Sequence, residues 1–209
     1  MLRPRTLKTI KVFASFQGEG LRQGEPTIFV RLAGCNLRCG FCDTKRARRG
    51  GRERTIEEIV EEVQKLRGDF PAHWICLTGG EPLAQDIRPL TQALKRDGLR
   101  VQVETNGTFP PAPGVDWHTV SPKPPGYAVH PGLLRKAKEV KLVVCRDLTL
   151  ENVCIVRKAF PRSVPVLLQP ESNAAWSKAK AADLLERSLR AGLDGIRVSV
   201  QLHKIYGIR

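Results

Sequence analysis

Short apolar runs alternate along the chain with stretches whose apolar positions recur every three or four residues. The runs at 27–34 (TIFVRLAG), 73–80 (HWICLTGG), 99–107 (LRVQVETNG), 117–123 (WHTVSPK), 138–144 (KEVKLVV), 164–172 (VPVLLQPES) and 195–202 (GIRVSVQL) each read as a strand. Between them, TIEEIVEEVQKL (55–66) puts Ile56, Ile59, Val60, Val63 and Leu66 on one helical face. Thr55 serves as N-cap and Glu58 closes a capping box three residues on. Residues 86–98 predict a helix beginning near Pro89 and stopping at Gly98, and 149–160 and 178–192 predict two more.

Strand followed by helix, repeatedly, is the pattern of a parallel α/β protein. Polar groups cluster at the C-terminal ends of the strands: Thr78-Gly79-Gly80-Glu81, Glu104-Thr105-Asn106, Ser121-Pro122-Lys123, Gln169-Pro170-Glu171 and His203. Barrels and open α/β sheets place their sites at that end. A chain of 209 residues falls short of the roughly 250 of a full eightfold barrel. The expectation is therefore one domain over 1–209, a partial TIM-type barrel of roughly six strands.

Charge and cysteine content narrow the chemistry. Net charge is +14, from 35 Lys and Arg against 21 Asp and Glu, and the one dense basic run, Lys45 to Arg54, directly follows a cysteine cluster. Such charge suits nucleic acid, anionic ligands or an acidic protein. Aromatic residues are only 6% of the chain, leaving few stacking platforms, and no RNA-binding signature is visible; direct nucleic-acid binding is not expected. No apolar run approaches the roughly 18 residues of a membrane span, and the N-terminus lacks the apolar core of a secretory signal. The cytoplasm is expected, where cysteines stay reduced and a tight group of them marks a metal or redox site.

That group is GCNLRCGFCDT (34–44), with Cys35, Cys39 and Cys42 at spacing C-x3-C-x2-C. Zinc would require a fourth protein ligand. His73, His118, His130 and His203 are scattered, and Cys76, Cys145 and Cys154 sit in apolar segments where cysteine behaves as a small hydrophobe. An iron–sulfur cube with one iron left open is favoured instead.

The cysteine spacing, with Phe41 just before the last thiol, resembles the radical S-adenosylmethionine superfamily, and LTGGEPL (77–83) matches that superfamily's second loop in the right order. Within it, SFQGEG (15–20), the block running into GCNLRCGFCDT, and then ETNGT, SPK and LQP closely resemble the 7-carboxy-7-deazaguanine synthases over almost the whole chain. The region between the cysteine loop and GGEP is short, with one clear helix, and reads as a compact version of the family.

The resemblance implies a 4Fe–4S cluster on Cys35, Cys39 and Cys42, with S-adenosylmethionine held by Phe41, Gly79, Gly80, Glu81, Ser121, Lys123, Gln169, Pro170, Glu171 and Ser172. In it, the glycines free the backbone to approach the methionine end. It implies a lyase that removes hydrogen from carbon 6 of 6-carboxy-5,6,7,8-tetrahydropterin, contracts the ring and expels ammonia. Phe16, Gln17, Gly18, Glu19, Thr78, His203 and Arg209 would contact the pterin, and Arg31 its carboxylate. Arg31 interrupts an apolar strand, and a buried guanidinium demands an acid or a ligand.

Thr44 would bind Mg2+, with Asp43 as a rival ligand or a turn residue. The resemblance further implies a homodimer and a flavodoxin or ferredoxin electron donor, for which the Lys45–Arg54 run offers a docking surface. Two rivals stand beside this reading: a glycyl-radical activating enzyme, whose substrate is a protein, and a zinc-stabilised nucleic-acid-binding module.

Overall fold

The computed structural model describes residues 5–208. In chain order the elements are β1 (Thr6–Phe16), β2 (Pro26–Leu32), β3 (Arg52–Thr55), α1 (Ile56–Asp69), β4 (Trp74–Gly79), α2 (Arg88–Arg96), β5 (Arg100–Thr105), β6 (Trp117–Val120), α3 (Pro131–Leu134), β7 (Ala137–Val144), α4 (Leu150–Ala159), β8 (Val166–Pro170), α5 (Ala175–Arg190), β9 (Ile196–Val198) and α6 (Leu202–Ile205).

The strands form a single sheet in the order β3-β1-β2-β4-β5-β6-β7-β8-β9. From β2 through β4 to β9 every neighbouring pair is parallel. Hence seven parallel strands carry the α/β rhythm, one more than the rough count from sequence. The additional pair, β1 and β3, is antiparallel to its neighbours and lies on the β2 side. In β1 lysines alternate with buried Leu7, Thr9 and Val12, a half-buried pattern that a basic N-terminus disguises. The sheet remains open, as befits a partial barrel.

Period-two alternation separates its two faces. Val101, Val103, Val140, Leu142 and Leu168 point to the apolar core, together with Ile59 and Val63 of α1, Leu90 and Leu94 of α2, Val153 of α4 and Leu184 of α5. The residues between them on the strands, Gln102, Glu104, Glu139, Lys141 and Gln169, are polar. Burying apolar side chains on the helix-covered face supplies the stability, which leaves the other face free for chemistry.

Local signals held where the chain provides its own caps. Thr55 and Glu58 form the expected capping box on α1, and Thr149 with Asn152 does the same for α4. α2 begins at Arg88 with Pro89 in its first turn. Strand β9 is shorter than the expected 195–202, because Gln201 and its neighbours turn away from the sheet to pack over the β1–β2 loop. There Leu202 N–H donates to Gly18 C=O at 2.8 Å, and Gln23 Nε2 donates to Val200 C=O at 2.9 Å.

Candidate active site

The parallel strands all deliver their C-terminal ends to one edge, and the loops there enclose a cleft of about 290 Å3. Its walls include Cys35, Cys39 and Cys42, with Phe41 and Thr44, from the loop after β2; Thr78, Gly79 and Gly80 from β4; Ser121 and Lys123 after β6; and Gln169 to Ser172 after β8. Phe16, Gln17, Gly18 and Glu19 come from the β1–β2 turn, Arg31 from β2 and His203 from α6. Of the residues singled out from the sequence, two are missing from this list. Arg209 lies outside the described residues, and Glu81 is placed elsewhere.

Glu81 is fully buried, and its carboxylate accepts from Thr105 Oγ1 at 2.7 Å, Asn106 N–H at 2.6 Å and Leu83 N–H at 3.0 Å. It is a brace between the GGEP and ETNG turns rather than a wall of the cleft. Burial raises its pKa, partly offset by those bonds. The two glycines are demanded first by the protein itself. A Cβ on Gly80 would lie 1.8 Å from Gly34 C=O, and one on Gly79, whose φ is +119°, would lie 2.1 Å from Leu32 C=O. With Glu81 N–H donating to Gly34 C=O at 2.7 Å, the turn is pressed against the start of the cysteine loop.

The three thiols are free and half-buried on one loop. Among the described residues no group of three or more His, Cys, Asp or Glu, these three cysteines included, is gathered closely enough to hold a metal ion. Burial raises the pKa of Cys39, while Lys123 opposes that rise. The loop is tied down by Arg48, whose guanidinium donates to Cys39 C=O, and by Gly34 N–H donating to Ala47 C=O at 2.7 Å. Part of the basic run is therefore internal bracing. Arg54 is likewise buried, paired with Glu62 and donating to Glu58 C=O at 2.8 Å.

Three residues that line the cleft also carry a buried polar atom with no partner: Arg31 Nε, Gln169 Nε2 and Gln201 Oε1. Unpaired buried polar groups are rare, and three of the seven among the described residues belong to this one cleft, which fits a ligand. Arg31 also donates from Nη1 to Thr44 Oγ1 at 2.9 Å, and Thr44 Oγ1 donates to Asp43 Oδ1 at 3.0 Å. Lys123 is engaged at Ser121 and is held down to a pKa of about 8, mainly by burial.

Other predicted residues are spent partly inside. Gln17 Nε2 donates to Gln102 Oε1 at 3.1 Å and to Glu104 Oε1 at 3.3 Å, while Glu19 pairs with Lys141. Glu104, Asn106, Lys141 and Gln201 line the cleft without having been assigned a role from sequence. The signal for Lys141 was its charge inside the apolar run KEVKLVV.

A model of the radical S-adenosylmethionine superfamily matches residues 29–116. The chain is 37% identical to 7-carboxy-7-deazaguanine synthase of Aquifex aeolicus, the match covering all of both chains. It is 34% identical to the Methanospirillum hungatei protein of that name over 97% of this chain and 86% of the relative, and 36% identical to that of Bacteroides thetaiotaomicron over 97% and 98%. Among solved structures, Escherichia coli QueE superposes with a TM-score of 0.78 at 28% identity, covering 95% of each chain. Streptococcus suis SuiB, at 13% identity and a TM-score of 0.57 over 78% of this chain and 46% of that one, shares the fold alone. The chain belongs to the 7-carboxy-7-deazaguanine synthase family of radical S-adenosylmethionine enzymes.

Proposed function

We propose that this single domain is a lyase converting 6-carboxy-5,6,7,8-tetrahydropterin into 7-carboxy-7-deazaguanine with release of ammonia, and that it works in the cytoplasm. The carrying observation is that one cleft gathers the cysteine loop, the double-glycine turn and an arginine with an unpaired, buried Nε. A protein substrate, as a glycyl-radical activating enzyme would need, gives Arg31 no defined small carboxylate. No described helix is long and apolar enough to cross a membrane.

Membership of the superfamily brings a 4Fe–4S cluster and S-adenosylmethionine. Cys35, Cys39 and Cys42 would hold the cluster, which when bound supplies the electron that turns S-adenosylmethionine into a source of the hydrogen-abstracting radical. The chain's own task is placement. Gln169 Nε2 offers a free donor on the cofactor wall, and Lys123 offers a cation that binding of a carboxylate would keep charged. Arg31 receives the pterin carboxylate, where two N–H donors match two oxygens.

Mg2+ at Thr44 is the finer part of this reading. Its hydroxyl already donates to Asp43 and accepts from Arg31, leaving one lone pair. A guanidinium facing that oxygen repels a second cation, so Mg2+ binding calls for Arg31 to be drawn toward the substrate carboxylate.

The electron donor, an acidic flavodoxin or ferredoxin, would dock on the groove behind the cysteine loop, lined by Cys35, Leu37, Arg38, Lys45, Arg46 and Arg49. A homodimer belongs to the same reading.

The deciding experiment is anaerobic turnover of the reconstituted protein with the carboxylated tetrahydropterin, S-adenosylmethionine, Mg2+ and dithionite, followed by mass spectrometry. Deazapurine formation that is lost in Cys39→Ala is expected. Production of 5′-deoxyadenosine without the deazapurine would overturn the substrate.

A further inference from the structure

The polar face of the sheet carries a buried lysine at the cleft. Lys141 of β7 is 6% exposed, and its ammonium donates to Glu104 Oε2 at 2.7 Å and also to Glu19 Oε2. The second oxygen of Glu19 accepts from Gln201 Nε2 at 2.7 Å, and that of Glu104 from Gln17 Nε2 at 3.3 Å. Lys141 thus ties the β1–β2 turn to β5, one ammonium between two carboxyls.

Two further basic groups and one further acid surround the trio. Lys123 is engaged at Ser121, its pKa lowered by burial and by Lys141 and raised by Glu104 and Glu19, and His203 faces Glu19 with its pKa lowered by burial. Glu139, two residues from Lys141, accepts from Leu21 N–H, Trp117 Nε1 and Thr119 Oγ1, and its charge adds to the rise at Glu104.

We propose that Lys141 is a positioning residue for the substrate, fixing Glu19 and Glu104 as a pair of acceptors that receives the N–H edge of an aminopyrimidinone ring. This rests on the pterin reading above. Such a ring presents an amide N–H and an exocyclic amine side by side, two donors that a carboxylate meets with two oxygens. Both acids line the cleft. Burial pushes both carboxyls up: at Glu19 the Lys141 ammonium outweighs it and holds the pKa at about 2, whereas Glu104 stays raised by burial and by Glu19, with Lys141 opposing that rise. Without the lysine, two carboxyls in one buried site cannot both stay ionised. One would take a proton and present a donor to a donor.

The test is pterin binding and turnover by reconstituted Lys141→Met and Lys141→Arg, with KM followed against pH. Loss of charged acceptors predicts a KM for the pterin raised about tenfold or more in Lys141→Met. That KM should climb further as pH falls from about 8 to about 6, because the freed carboxyls then protonate. Lys141→Arg restores a flat profile, and KM for S-adenosylmethionine stays unchanged in both. Removing a buried cation can unfold the chain, so Lys141→Met/Glu104→Gln, which leaves a single carboxylate, is measured alongside and should show the same rise. If a folded, fully iron-loaded variant keeps the wild-type KM and pH profile while the wild type converts the pterin, the role of Lys141 is overturned. If the wild type neither binds nor converts the pterin, the functional reading falls and takes this role with it.

Discussion

Arg31 reaches Thr44 with one guanidinium nitrogen, at 2.9 Å from its hydroxyl, while its Nε is buried without a partner. In β2 it stands beside Thr78 of β4 in parallel register, so both face the cleft together. No ion pair holds Arg31 among the described residues, and the half-filled fork is what a carboxylated substrate would complete.

Arg31→Met is therefore expected to raise KM for the carboxylated pterin by about 10- to 100-fold, the worth of a charge-assisted pair. Formation of 5′-deoxyadenosine in the absence of pterin should be unaffected. Steady-state kinetics with both readouts checks this, and an unchanged KM would remove Arg31 from the substrate site.

Gly80→Ala places a methyl group 1.8 Å from Gly34 C=O, which is backbone and cannot swing aside. A stability loss of about 2–4 kcal/mol is expected, from overpacking and forced backbone shifts. Because the displaced segment is the start of the cysteine loop, iron content after reconstitution should fall with it. Thermal melts and iron analysis on the same sample decide the matter; normal loading would mean the turn does not support the loop.

The basic run divides into two kinds of residue. Lys45, Arg46 and Arg49 are exposed, whereas Arg48 donates to Cys39 C=O. Reversing Arg38, Arg46 and Arg49 to Glu should slow flavodoxin-driven turnover at low salt and abolish its salt dependence, with the dithionite-driven rate preserved. Arg48→Ala should instead lower cluster retention whichever reductant is used. Flavodoxin kinetics indifferent to the triple reversal would place the donor elsewhere.

His118 is 3% exposed with Nε2 unpaired, and burial lowers its pKa to about 4. The unfolded chain, with a histidine near 6.5, takes up a proton first as pH falls. Stability is then complete above about pH 6.5 and drains away toward pH 4. Between pH 7 and pH 5.5 the loss should reach about 1 kcal/mol. Urea midpoints of wild type and His118→Leu over that range test it, since the variant should lose this component of the slope.

Much of the candidate cleft was legible because its lining comes from particular residue types in short, ordered segments. Three thiols, a double glycine and an arginine inside an apolar strand declare themselves without coordinates. What the sequence did not show is the use of the Glu81 side chain: its place in GGEP suggests a cofactor contact, while three hydrogen bonds turn its carboxylate inward. β1 was missed as a strand, since its antiparallel partner in β2 lies across the polar turn Gln17–Glu25 and alternation with lysines reads as surface.

What the sequence by itself determined was the parallel α/β rhythm, the helix caps and the cysteine loop, all consequences of local periodicity and spacing. Tertiary structure alone decided which polar side chains meet. Lys141 joins Glu19 and Glu104 across separations of 122 and 37 residues, and Gln201 reaches Glu19 across 182. Such pairings depend on strand order and register, which bring distant positions of period-two strands onto one face, and no local pattern encodes them.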